Sequence, residues 1–193
     1  MTEVHATRII SDLDSSRFEE LSQNLLKSKN RKLVHEFFDS KLYSAGDDSN
    51  GYYFLVSNKS GRVVYFVRYR LVKANGLRFG RQVLVWRTKN TQGTISVSGL
   101  AKKVFNSYLL PRFGRLITDT QQTENGRAFW EFMINEAFDN NTPVYVLDRR
   151  SKPNRLYRST RETLDKDYDT VYGESSAFER THFVISSSEI KEF

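Results

Sequence analysis

Val83-Leu84-Val85-Trp86 closes one kind of sequence, and Ser98-Gly99-Leu100-Ala101-Lys102-Lys103-Val104-Phe105 opens another. The first run is apolar and β-branched, the composition of a buried strand. In the second, Leu100, Val104, Phe105, Tyr108 and Leu109 recur at three and four, which predicts a helix that Pro111 closes. Arg87 to Val97, between them, is a polar loop containing Gly93. Leu116-Ile117-Thr118-Asp119 then reads as a short strand. Thr123-Glu124-Asn125-Gly126 starts a helix carrying Ala128, Phe129, Phe132, Met133, Ala137 and Phe138, and Pro143-Val144-Tyr145-Val146-Leu147 is again a strand. Residues 80–148 therefore spell β–loop–α–β–α–β, an α/β arrangement that favours parallel pairing in this half.

Upstream, three strand-like runs are joined by two turns. Tyr52 to Ser57 is followed by the turn Asn58-Lys59-Ser60-Gly61, Arg62 to Val72 by the turn signal Asn75-Gly76, and Phe79 to Thr88 completes an antiparallel meander. The N-terminal third reads as helical. Asp14-Ser15-Ser16 offers a cap, and Phe18, Leu21, Leu25 and Leu26 form one face. Leu33, Val34, Phe37 and Phe38 suggest a second short helix, and Ser44 to Gly51 an acidic turn-rich loop. Residues 149–178 are polar and take no assignment, and Thr181 to Ser186 reads as a last strand. With no repeat and no linker, residues 1–193 are expected to form a single domain.

Composition narrows the function classes. The 14 Phe and 10 Tyr supply apolar bulk that disordered chains lack. The absence of cysteine removes disulfides, thiolate nucleophiles and thiolate-bound metals. His5, His35 and His182 have no ligand-like spacing, so no metal site is expected. No apolar run approaches the roughly 18–20 residues that cross a bilayer. The polar start, Met1-Thr2-Glu3-Val4-His5, lacks a signal-peptide core, so the expected location is the cytoplasm. Neither a phosphate-binding Gly-x-x-x-x-Gly-Lys-Ser/Thr nor a Gly-x-Ser-x-Gly elbow occurs.

The formal charge of +7 is unevenly spread: residues 1–50 carry −2, residues 51–160 carry +13 and residues 161–193 carry −4. Between Asp48 and Asp119 there are thirteen Lys and Arg and no carboxylate. Such a stretch attracts anions: a phosphorylated cofactor, a nucleic acid backbone or an acidic protein.

The order of helices, three-strand meander, polar loop, helix, strand, helix, strand and late strand resembles the GNAT acyltransferase superfamily. Gly99-Leu100-Ala101 looks like the tail of that family's Gly-x-Gly/Ala signature, although between Arg87 and Ala101 the glycines are Gly93 and Gly99 alone. Phe113 to Asp119, followed by Gln122 to Trp130, is similar to a pattern in GNAT-like proteins of phages. The resemblance covers about 52–148. It implies a mixed sheet with acetyl-CoA lying against the strand before the central helix, whose N-terminus and preceding turn would receive the pyrophosphate. It further implies transfer of an acetyl group to an amine by direct attack.

On that resemblance Trp86, Arg87, Lys89, Ser98, Gly99, Ala101, Lys102 and Lys103 are the candidate acetyl-CoA residues, and Asp119, ending its strand, is the candidate catalytic carboxylate. Plainer roles compete: Ser98 and Gly99 as a helix cap, the lysines as solvated charges, Trp86 and Trp130 as core, and Asp119 as a cap of the following helix. Tyr108 and Tyr145 read as packing residues. The alternative function is a catalytically silent module binding nucleic acid, or an acidic partner, through Arg68, Arg70, Arg78 and Arg81, with Tyr52, Tyr53, Tyr65, Tyr69 and Phe79 stacking bases.

Overall fold

The computed structural model describes residues 15–87, 99–119, 124–173, 177–191 and 193. They build a mixed α/β structure around a nine-stranded, mostly antiparallel sheet. The strands are β1 (Lys32–Phe37), β2 (Ser40–Gly46), β3 (Asn50–Ser57), β4 (Val63–Ala74), β5 (Leu77–Arg87), β6 (Arg115–Ile117), β7 (Val144–Asp148), β8 (Arg155–Arg158) and β9 (Thr181–Ser186). Their spatial order is β1-β2-β3-β4-β5-β6-β9-β7-β8.

The meander expected from the turn residues is present and longer than expected. Asn75 and Gly76 both take positive φ (48° and 79°), the conformation that a two-residue hairpin turn demands and that Asn-Gly tolerates. The expected second N-terminal helix is instead the hairpin of β1 and β2. A register shift between Leu33 and His35 breaks the two-residue alternation. The exposure pattern of β1 then repeats every three residues, which imitates a helix. The expected loop at 44–51 is shorter, because β2 runs to Gly46 and β3 begins at Asn50.

The parallel pairing expected beyond residue 80 is confined, among the described strands, to β5 with β6, through Arg81 opposite Leu116 and Gln82 opposite Ile117. β6 and β7 are not neighbours: β9 inserts between them, antiparallel to both. The unassigned stretch 149–178 supplies β8 and the helix α5 (Leu164–Tyr172), and α6 (Ala177–Arg180) leads into β9.

Each sheet face has its own cover. The chain leaves β5 and returns to β6 through a helix over residues 100–113: α2 (Leu100–Val104), a π turn (Phe105–Leu109) and α3 (Leu110–Phe113). The Leu110 N–H bonds Phe105 O, one residue further back than in an α-helix. This widened turn lets Pro111, expected to end the helix, sit inside it, and Gly114 (φ 73°) ends it instead. With α4 (Glu124–Asp139) and α5 it covers one face. There Tyr65, Val67, Val83, Leu116 and Phe183 meet Leu100, Val104, Phe105, Leu109, Trp130 and Ile134. Trp130 is core as expected, 1% exposed and edge-on to Phe105. The opposite face carries α1 (Ser15–Lys27), whose Phe18 stacks on Phe66 at 5.3 Å, and a separate cluster of Val72, Phe79, Ile117, Tyr145, Leu147 and Val184. Asp14, the expected cap of α1, lies outside the described residues. No described helix is long and apolar enough to cross a membrane.

Candidate functional site

The ladder between β5 and β6 has two rungs, and then the strands part. β5 continues to Arg87, still paired with β4. β6 ends, and the chain follows β9 instead: Thr118 N donates to Phe183 O (3.0 Å) and Phe183 N to Thr118 Oγ1 (3.1 Å). Gln82 spans the parting. Its Nε2 donates to Thr118 O at 2.9 Å, and its Oε1 accepts from Arg70 Nε at 2.6 Å. Open sheets characteristically place ligands beyond the carboxyl ends of diverging parallel strands.

Alternation sends Arg68 and Arg70 of β4, Gln82 of β5, Asp119 after β6 and His182 of β9 to the face that carries α1. Asp119 is 7% exposed and the His182 side chain is fully buried. Among the described residues neither His182 ring nitrogen has a hydrogen-bond partner. Burial, reinforced by the Arg149 and Arg70 guanidiniums, pushes its pKa down to about 3, so the ring is neutral at pH 7. Burial and the nearby Arg149 and Arg68 charges lower the pKa of Arg70, against an opposing pull from Asp119. On the helical face at the same end of the sheet, Tyr65 OH and Thr181 Oγ1 are also buried without a partner among the described residues. Buried polar groups are ordinarily satisfied, which makes these strand ends the candidate site.

Of the expected acetyl-CoA residues, Lys89 and Ser98 lie outside the described residues. Trp86 and Arg87 end β5, but their side chains also lie outside the described ones. Gly99 caps α2 in the left-handed region (φ 89°), accepts the Lys103 N–H at 3.0 Å, and would leave an added Cβ with no neighbour within 4 Å among the described residues. Ala101 is half-buried against the core and Lys103 is exposed. Lys102 turns away to α4, where it pairs with Glu136 beside the Phe132 ring and lines a separate cavity of about 480 Å³ between the helices.

The four arginines of the alternative reading do not share a surface. Arg68 and Arg70 face α1, whereas Arg81 projects to the helical side, bonded to Asp48 O with its guanidinium 5.2 Å from the Phe113 ring. Arg78 is exposed near the start of β5. Tyr53, Tyr65 and Tyr69 are buried beneath the helices and are not available to stack bases.

Gln82, Arg149 and His182 are the neighbours that sequence reasoning missed. The available signals were a buried-strand glutamine between Arg81 and Val83, a basic pair after β7, and a histidine inside the apolar run Thr181 to Ser186. No family model, no curated protein and no solved structure matches this chain.

Proposed function

We propose that the protein is a GNAT-like N-acyltransferase that moves an acetyl group from acetyl-CoA to an amine. The observation that carries this reading is the parting of β5 and β6 after two rungs, in a sheet whose meander runs into a β–α–β crossover and whose last strand returns between β6 and β7. That arrangement is in keeping with the resemblance in element order. The start of α2 at Gly99, with Lys103 exposed, suits an anionic pyrophosphate; Lys102, held by Glu136, is not counted among its ligands.

In such a transfer the amine lone pair attacks the thioester carbonyl carbon. The new C–N bond forms as the C–S bond breaks, the sulfur leaves as thiolate and the nitrogen gives up a proton. Asp119, at the divergence, is the group assigned to orient or deprotonate the amine. The neutral ring of His182 adds no positive charge beside it.

Isothermal titration with acetyl-CoA tests the reading, with saturable micromolar binding expected. Asp119→Asn should keep that binding and lower turnover by about 10²-fold or more, the scale of positioned acid–base groups. Absence of acetyl-CoA binding, together with salt-steep binding of DNA or RNA, would overturn it in favour of a silent nucleic-acid module.

A further inference from the structure

We infer that the cavity between Arg70 and Arg149 is a binding site for a small molecule carrying an oxyanion, a phosphate or a carboxylate. The cavity has a volume of about 450 Å³ and lies on the α1 side of the sheet. Arg70, Lys73 and Arg149 line it, with Ser49 and Asn50 on its rim. No Asp or Glu lines it; Asp119, outside the lining, acts on Arg70 against the repulsion of Arg149 and Arg68. Its volume is in the range of small-molecule sites, roughly 300–1,000 Å³.

The cations are placed, not merely present. Gln82 holds Arg70 by Nε, which orients the guanidinium while both its Nη atoms stay without a partner among the described residues. Arg149 leaves β7 with its backbone N–H fixed to Arg180 O at 2.8 Å. Asp47 accepts from Ser49 N and Asn50 N (2.6 and 2.9 Å), which sets the rim. His182, fully buried with both nitrogens unpartnered among the described residues, lies under the influence of both guanidiniums. Arg70 and Lys73 are exposed and Arg149 is half-buried, so an oxyanion entering from solvent would accept from two guanidinium forks without first displacing an ion-pair partner in the lining. The cations are confined to this small patch, and Arg81 on the far face could not join a duplex contact, so a compact ligand fits better than a polyanion backbone.

The test needs no acetyl-CoA, so it stands or falls apart from acyl transfer. Inorganic phosphate and acetate are titrated calorimetrically at ionic strength held constant with sodium chloride. Saturable binding of one of them is expected, and which one binds separates a phosphate ligand from a carboxylate ligand. Arg149→Ala and Arg70→Gln should weaken that binding at least tenfold, and Lys59→Ala, in the β3–β4 turn, should leave it unchanged. Without ligand, Arg149→Ala should melt no lower than the wild type, because it relieves repulsion. Three results would overturn the inference: neither anion binding; equal binding by wild type and both arginine variants; or a DNA oligonucleotide binding through these arginines while phosphate and acetate do not.

Discussion

His182 has exchanged water for a site with no described hydrogen-bond partner, and this makes it a liability in acid. An unfolded histidine has its ordinary pKa of about 6.5, whereas the folded one is depressed to about 3. Between these values the unfolded chain binds the extra proton, so stability falls as pH drops through that window. From pH 7 to pH 5 the loss should be about 2 kcal/mol at 1.36 kcal/mol per pH unit. Urea unfolding at both pH values should show it, and His182→Leu should abolish most of the difference. Gln82 makes a second residue-scale case. Gln82→Leu leaves the buried Thr118 O without its Gln82 donor, at a cost of about 1–3 kcal/mol, and removes the brace on the exposed Arg70. The midpoint of urea unfolding should fall accordingly. Asp119 could be singled out from sequence because it follows an apolar run and ends an acid-free stretch. Gln82 stands out beside an apolar run and His182 inside one, but a hundred residues separate them and only the strand order makes them neighbours.

At the scale of elements, periodicity succeeded where it was undisturbed. The meander, the helix after Gly99, the helix ending near Asp139 and the last strand were legible because turn residues and apolar spacing agreed. β1 was not, since a bulge at Leu33–His35 disguised its alternation. Nor was the π turn, whose wider loop makes Pro111 tolerable. β8 is mostly exposed, and α5, though it buries Leu164 and Val171, interrupts its apolar face with Asp165, Lys166, Asp167 and Asp169, so both leave little pattern. The two helical covers differ in reach. Trp130→Ala empties a site enclosed by Phe105 and Phe129 and should cost about 3–5 kcal/mol in chemical denaturation. Phe18→Ala removes the stack on Phe66, and hydrogen exchange should quicken in α1 well before it quickens in β4.

For the whole molecule, the segregated charge seen in the sequence does not become one basic surface. Folding divides Arg70 and Arg81 between the two faces, and Arg81 is joined to the loop at Asp48, which Arg112 also reaches at 3.6 Å. Arg81→Ala should therefore leave any polyanion binding by the α1 face within twofold, as a filter-binding or anisotropy measurement would show. The candidate site was legible only in outline for the same reason: charge along a chain says which ligands are attracted, but not which cations end up side by side.

The two-rung junction between β5 and β6 has a further consequence. The sheet's two halves meet at a narrow spine, and oily layers on both faces clamp them: Leu116, Val83, Phe105 and Trp130 on one, Phe79, Ile117 and Val184 on the other. Oily contacts slacken in the cold, whereas the hydrogen-bonded ladders within each half do not share that weakness. Near freezing, the spine should loosen ahead of the halves, with amide protection at Gln82 and Ile117 dropping relative to that at Phe54 or Val146.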